Sequence, residues 1–139
     1  MNFLNISTTA VLLGAIGCAA ALIYFPYLVV VIGRFQAGYD PGAPRANFDK
    51  LSDSAKRATW AHQNSFETFI TFAAAALMAY VTKQDSVYAA NLAIAFVVSR
   101  FLFSIFYIIN FPIGRSLMFG VGTFATASLM IMSIQSALI

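Results

Sequence analysis

The 139-residue chain is 60% hydrophobic and only 9% charged, with a mean hydropathy of +0.81. This composition is far from the average of soluble domains and excludes a water-soluble fold for the chain as a whole. The formal net charge is +3, with five of the eight basic residues in one connecting segment, and no motif resembles a base-reading module, so a nucleic-acid partner is not expected.

Four long apolar segments follow one another along the chain: Thr9 to Gly33, Phe66 to Val81, Val87 to Asn110, and Leu117 to Ile139. Each segment, alone or with its polar flank, has about the 20 residues that a helix needs to cross a hydrocarbon core of about 30 Å. We therefore predict an all-α fold, an integral membrane four-helix bundle with up-and-down topology. The length leaves room for little else, so residues 1–139 are expected to form a single domain.

The charges of the connections predict the orientation of the bundle. The first connection holds five basic residues, namely Arg34, Arg45, Lys50, Lys56 and Arg57. The second holds Lys83 beside Asp85, and the third contributes Arg115. Because basic residues near span ends stay on the cytoplasmic side, we expect the first and third connections there and both termini on the opposite side. A basic connection at a membrane also predicts contact with anionic lipid headgroups.

The second span is predicted to continue a helix that begins outside the hydrocarbon. The segment "SDSAK" offers Ser52 or Asp53 as an N-cap for this helix. Further along it, polar residues fall at i, i+3, i+4 and i+7 and share one face: Asn64, Glu67, Thr68 and Thr71. A carboxylate in a span is costly unless it faces the protein interior or a wet cavity. We therefore expect Glu67 to be buried and charge-coupled to a basic residue, in an ion pair that fixes packing or in a ligand pocket.

The third span carries a second polar stripe, because Arg100, Ser104 and Tyr107 lie at i, i+4 and i+7. Pro112 ends this span and leaves Arg115 at the mouth of the fourth. Two polar-striped helices whose polar ends lie on the same side predict an enclosed polar pocket. Its side chains are expected to be Glu67 as acceptor, Arg100 and Arg115 as cations, and His62, Asn64 and Tyr107 as neutral hydrogen-bonding groups. Such a set suits a zwitterionic or anionic ligand that carries amino and carboxylate groups.

Two segments, "RATWAHQNSFETF" and "SRFLFSIFYIINFPIGRS", resemble the MAPEG family, the membrane-associated proteins of eicosanoid and glutathione metabolism. The resemblance rests on Asn64 and Glu67 in span two, and on the spacing of Arg100, Tyr107 and Arg115 from span three into span four. It implies a homotrimer with glutathione, a co-substrate, bound between subunits, and a hydrophobic small molecule that enters from the lipid. Small residues at a four-residue spacing in span one also favour close contact between helices: Gly14 with Cys18, and Gly17 with Ala21.

The resemblance implies roles for individual residues, and no metal site among them. The residues expected to bind glutathione are His62, Asn64, Glu67, Arg100 and Tyr107. Arg115 is expected to be the catalytic group that holds the glutathione sulfur as thiolate, and Arg34 to help polarise the electrophile. The implied function is a membrane-embedded glutathione-dependent transferase or peroxidase that acts on a hydrophobic electrophile or a lipid hydroperoxide.

The sequence departs from the glutathione-using pattern at three positions. Trp60 stands where such members generally have arginine, Thr68 where some have an aromatic residue, and Phe103 where tyrosine is often found. Arg57, about two turns before Asn64, is a candidate replacement for the missing arginine. These departures favour, as an alternative, a non-catalytic lipid-binding or accessory membrane protein of the same fold. A small four-span transporter is a further alternative, suggested by a carboxylate in a short membrane chain.

Overall fold

The computed structural model describes residues 6–139, which form four α-helices and no strand within that range. Helix α1 spans Thr8–Gln36, α2 spans Asp53–Val81, α3 spans Val87–Ile108 and α4 spans Pro112–Ala137. A single 3-10 turn, Phe48–Lys50, lies in the connection between α1 and α2. The predicted all-helical fold is confirmed, and the first five residues of the predicted domain lie outside the described part.

Three of the four helices begin after a serine. The hydroxyl oxygens of Ser7, Ser52 and Ser86 each accept a hydrogen bond from the backbone N–H three residues later. Each bond satisfies one of the N–H groups that have no partner within the first helical turn. Of the two N-caps predicted for α2, the structure therefore selects Ser52, and the helix runs from there through the apolar stretch without a break.

Helix α4 begins earlier than the apolar pattern predicts, at Pro112 instead of Leu117. Proline is favoured at the first helical position, because its fixed φ suits the helix and the N–H it lacks has no helical acceptor there. The backbone N–H of Arg115 donates to the carbonyl of Phe111 at 3.0 Å. Arg115 therefore lies inside the first turn of α4, whereas the sequence pattern had placed it just outside.

Helices α2 and α3 form the centre of the bundle, since α1 and α4 each pack against both of them. In the core, the rings of Phe72 and Phe96 stack with their centroids 3.7 Å apart. The buried residues around this pair are mainly alanines: Ala75, Ala76 and Ala79 of α2, Ala89 and Ala93 of α3, and Ala125 of α4. Such small side chains let helix backbones approach closely, as is typical of bundles in membranes.

The small residues of α1 face outward. Gly14, Gly17, Cys18 and Ala21 are exposed, and a Cβ added to either glycine would meet no atom within 4 Å. The buried side of α1 is formed instead by Leu12, Ala15, Ala19, Ile23 and Val30. These four residues, which we call the small-residue ridge, therefore play no part in the packing of one chain, and their surface is available to another copy or to lipid.

Three helices, α1, α3 and α4, are long and apolar enough to cross a membrane, with mean hydropathies of 2.3, 1.9 and 1.8. Helix α2 is as long as α1, but its first half is polar and carries charged residues, so its apolar character is weaker. The prediction that α2 forms a fourth span remains a prediction. Large apolar side chains also cover the outside of the bundle, as expected for contact with lipid: Leu28, Ile70, Leu117 and Phe124 are among them.

Candidate functional site

The polar face predicted for α2 lines a cavity between α2, α3 and α4. The cavity has a volume of about 400 Å³, and its α2 wall is formed by Asn64, Glu67, Thr68 and Thr71. Thr68 and Thr71 donate their hydroxyl hydrogens to backbone carbonyls of their own helix. Because those donors are already engaged, the groups of this wall that remain for a ligand are chiefly the amide and the carboxylate.

Arg100 of α3 is the buried cation of this cavity, with only 4% of its surface exposed. Its Nη2 donates to the Oδ1 of Asn64 at 2.8 Å, and the Nδ2 of Asn64 donates to the Oε2 of Glu67 at 3.5 Å. The guanidinium also lies over the ring of Phe103, 3.9 Å from its centroid. Asn64 thus connects the cation of α3 to the carboxylate of α2.

Glu67 and Arg100 differ in burial within one chain. Arg100 is buried, as expected, but Glu67 is exposed, and its contact with Arg100 passes through Asn64. Glu67 is exposed in one chain because the polar face of α2 is covered by α3 and α4 only in part, and its burial in an assembly stays a prediction. The carboxylate lies at the open side of the cavity, where a ligand or a second copy of the chain has access to it.

The buried Nε of Arg100 has no hydrogen-bond partner among the described residues. A buried donor without an acceptor is costly, and most such groups in folded proteins have a partner. The cavity therefore holds the guanidinium of Arg100 beside an amide and an accessible carboxylate. This donor and acceptor set fits the amino and carboxylate groups of a zwitterionic ligand such as glutathione.

The cavity owes part of its wall to Gly122 of α4. A Cβ at this position would lie 3.0 Å from the hydroxyl oxygen of Ser99 and 3.6 Å from Cδ of Arg100. Glycine therefore lets α4 approach α3 directly beside the arginine. Sequence reasoning gave Gly122 no role, because only the helix contact reveals why a side chain there is disfavoured.

Tyr107 and Arg115 form a second group, at the junction of α3 and α4. The Cζ of Arg115 lies 4.5 Å from the centroid of the Tyr107 ring. Tyr107 in turn contacts Phe103 edge to face at a centroid distance of 5.5 Å, so aromatic rings connect Arg115 with Arg100. Neither Tyr107 nor Arg115 lines the cavity that holds Asn64 and Glu67. The structure thus places the predicted catalytic arginine next to the pocket without bringing it inside.

Arg115 lies in the first turn of α4, at the positive end of the helix dipole. A cation there is unfavourable by itself, because the unpaired N–H groups of the first turn already favour negative charge. The charge of Arg115 and the positive end of the helix dipole together produce a positive potential at the α3–α4 junction. Such a potential stabilises an anion, and a thiolate is one anion that suits it.

His62 lies on a different side of α2 from Asn64 and faces α1. Its Nδ1 is 2.7 Å from the carbonyl oxygen of Ile23, and its ring packs against Tyr27 at a centroid distance of 4.9 Å. Since a carbonyl only accepts, this contact assigns the proton to Nδ1 and leaves Nε2 as an acceptor in the neutral ring. A second cavity lies between α1 and α2, and both His62 and Arg34 line it. Within one chain, the predicted site residues therefore fall into three groups instead of one.

One departure from the glutathione-using pattern, Trp60, and its candidate replacement, Arg57, have clear positions. Trp60 is 46% exposed and packs against Phe48 of the first connection, with ring centroids 6.0 Å apart. Arg57 does not take the place of an arginine at Trp60, because its Nε donates to the carbonyl of Ile108 at 2.9 Å. That bond satisfies one of the free carbonyls at the C-terminal end of α3, where a cation is favoured. Arg57 thus joins α2 to α3 and does not line the cavity.

A helical bundle with long apolar helices and a buried arginine on one of them defines an integral membrane protein. The sequence matches the profile of the MAPEG family over residues 11–135. The chain belongs to the MAPEG family, and the predicted resemblance is confirmed. No curated protein matches the chain.

Proposed function

We propose that the protein is a membrane-embedded glutathione-dependent transferase or peroxidase that acts on a hydrophobic electrophile or a lipid hydroperoxide. The observation that carries this proposal is the chain of contacts from Arg100 through Asn64 to Glu67 at one open cavity. It presents a cation, an amide and a carboxylate to one ligand, which together complement the charges of a zwitterionic peptide. Membership of the MAPEG family, whose members generally use glutathione, supports the same function.

In this proposal, Glu67 accepts from the amino group of glutathione, and Asn64 bonds to its backbone. The guanidinium of Arg100 attracts a carboxylate of the ligand, since it lines the cavity and carries a positive charge. Bound glutathione supplies the thiol that attacks the electrophile. Arg115 stabilises the thiolate form of a group whose ordinary pKa is about 8.5, and Tyr107 borders the sulfur.

The proposal includes a homotrimer, because one chain does not bring its site residues together. His62 and Asn64 lie on different sides of α2, and Glu67 is open to the outside. In a ring of copies, the His62 side of one α2 faces the Asn64 side of the next, so that one ligand contacts both. The outward ridge of small residues on α1 provides a surface on which helices of neighbouring copies approach closely.

A second candidate function is a non-catalytic lipid-binding member of the same fold. Two observations favour it: Trp60 occupies a position where glutathione-using members carry a cation, and Arg115 lies outside the cavity. In that case the cavity holds an apolar ligand or a lipid headgroup, and no thiolate forms. The two functions differ in whether glutathione binds at all.

Calorimetric titration of the purified protein with glutathione in mild detergent tests the proposal directly. We expect binding in the millimolar range or tighter. Asn64→Ala is expected to weaken it by about 1.5–3 kcal/mol, which is more than tenfold in Kd. Asn91→Ala is the matched control, since Asn91 is an exposed asparagine of α3 that lines neither the cavity of Asn64 nor that of His62, and its loss is expected to leave binding unchanged. No binding of glutathione, together with retention of a lipid, would establish the second candidate.

A further inference from the structure

A cavity of about 480 Å³ lies at the end of the bundle opposite to the first connection. The start of α1, the last turn of α2 and the connection between α2 and α3 form its walls. None of the residues that line it also lines the cavity of Asn64 or that of His62. The cavity therefore shares no residue with the proposed glutathione site.

The side chains of the α2–α3 connection alternate between the protein and the outside. The neutral side chains of Thr82, Gln84 and Ser86 are partly buried, and each forms a hydrogen bond within the protein. That of Gln84 donates to a serine hydroxyl of α4 at 2.6 Å. The charged side chains between them, Lys83 and Asp85, are exposed and line the cavity. The bonds of the neutral residues thus hold the connection against the bundle and leave its two charges at one cavity.

The two charges of this cavity have no partner in the described part of the chain. Within residues 6–139, neither Lys83 nor Asp85 forms an ion pair, and they do not pair with each other. The cavity therefore offers an ammonium to an anion and, two residues further on, a carboxylate to a cation. A ligand with a single charge satisfies one of these groups and is repelled by the other. A ligand that carries both charges satisfies the two together.

The cavity lies where the bundle meets the surface of the membrane. The connection leads directly into α3, which is long and apolar enough to cross a membrane. Tyr80 is 44% exposed and Tyr88 is 52% exposed, one on each side of the connection. Tyrosine is enriched at the boundary between hydrocarbon and headgroups. Val81, which also lines the cavity, is 73% exposed and offers an apolar surface beside the charges.

We propose that this cavity binds the headgroup of a phospholipid whose cation is a primary ammonium, as in phosphatidylethanolamine. The ammonium of Lys83 donates to the phosphate, the lipid ammonium donates to Asp85, and the acyl chains begin beside Val81. Hydrogen bonds between charged groups are about twice as strong as those between neutral groups. A choline headgroup has no N–H to donate to Asp85, and a glycerol headgroup leaves this carboxylate beside a phosphate without a cation. The proposal does not depend on the binding of glutathione, because the two sites share no residue.

Native mass spectrometry of the full chain in mild detergent tests this proposal. The probes are phosphatidylethanolamine, phosphatidylcholine and phosphatidylglycerol with the same acyl chains, and soluble O-phosphoethanolamine, each at equal concentration. We expect the protein to retain phosphatidylethanolamine most strongly. Lys83→Gln is expected to lower this retention about fivefold, which corresponds to about 1 kcal/mol for one cation at a membrane surface. Asp85→Asn is expected to abolish the preference for phosphatidylethanolamine over phosphatidylcholine, because the lipid ammonium loses its charged acceptor.

The matched controls are Asp49→Asn and Lys50→Gln, which remove an exposed acid and an exposed base at the opposite end of the bundle, outside this cavity. Both are expected to leave lipid retention unchanged. Equal loss in Lys83→Gln and Lys50→Gln would mean attraction by overall charge and would overturn the site. Equal retention of the ethanolamine and choline lipids by the unchanged protein would overturn recognition of the ammonium. Retention of soluble O-phosphoethanolamine without the lipid would overturn the acyl-chain contact.

Discussion

The guanidinium of Arg100 and the side-chain amide of Asn64 are joined by a hydrogen bond of 2.8 Å that connects α3 to α2. Arg100 is only 4% exposed, and its Nε has no partner among the described residues. The amide oxygen of Asn64 is therefore the one side-chain acceptor that the described chain gives to this cation. Because a buried charge is costly without a partner, the stability of the bundle depends on this hydrogen bond of the site.

Asn64→Leu is expected to destabilise the protein by about 1.5–3 kcal/mol, because the buried guanidinium loses its acceptor. Arg100→Leu removes the charge itself, so the double variant is expected to lose less stability than the sum of the two single variants. Thermal unfolding in a fixed detergent, followed by circular dichroism, measures all three. Strict additivity of the two losses would show that the bond contributes nothing to the fold.

Gly122 and Gly120 form a matched pair for testing the contact beside Arg100. A Cβ at Gly122 would meet the Ser99 hydroxyl oxygen at 3.0 Å, whereas one at Gly120 would meet no atom within 4 Å. Gly122→Ala is therefore expected to displace α4 and to cost about 1–3 kcal/mol. Gly120→Ala is expected to be neutral or to stabilise the helix by up to about 1 kcal/mol. The same midpoint of thermal unfolding in both variants would contradict this account of the cavity wall.

The fold followed from the sequence because its signals are local. The apolar runs, the serine before α2 and the period of the polar face depend on residues that are close in the chain, so they predicted the helices and the face of Asn64 and Thr71. The predicted start of α4 was wrong, because the apolar run begins at Leu117 while the helix already begins at Pro112. Hydropathy marks the span, whereas proline marks the start of the helix.

The site was harder to predict because it depends on contacts between helices. Sequence spacing alone does not tell which neighbour covers a face, and so it missed that His62 faces α1 while Asn64 faces α3. It also predicted burial for Glu67, whose covering surface is absent from a single chain. Both deviations concern surfaces that a neighbouring copy is proposed to cover.

The proposed homotrimer implies that the small-residue ridge of α1 does not tolerate larger side chains, although no atom of one chain opposes them. Gly17→Leu is expected to lower the fraction of trimer and to leave the helical content of the protein unchanged, because a Cβ at Gly17 meets no atom of its own chain. Gly17→Ala keeps the ridge small and serves as the control. Native mass spectrometry in mild detergent reports the assembly, and a clean monomer for the unchanged protein would rule out the trimer.

Arg115 and Asn64 are expected to affect different steps of the reaction, because they lie in different parts of the molecule. Arg115 contacts the Tyr107 ring at the α3–α4 junction, outside the cavity that Asn64 lines. An arginine that stabilises the thiolate acts on the reacting sulfur, whereas an asparagine that bonds to the glutathione backbone acts on binding. Loss of the first lowers kcat, and loss of the second raises the glutathione concentration that is required.

Arg115→Ala is therefore expected to lower kcat by about 10²–10³-fold and to remove the ultraviolet absorbance of bound thiolate at saturating glutathione. Asn64→Ala is expected to raise KM for glutathione more than tenfold and to retain the thiolate absorbance once saturated. Arg115→Lys tests whether a point charge suffices, and it is expected to restore the absorbance in part, because lysine keeps the cation but loses the planar guanidinium. A thiolate that persists in Arg115→Ala would exclude Arg115 as the catalytic group and leave it as a charged anchor at the membrane surface.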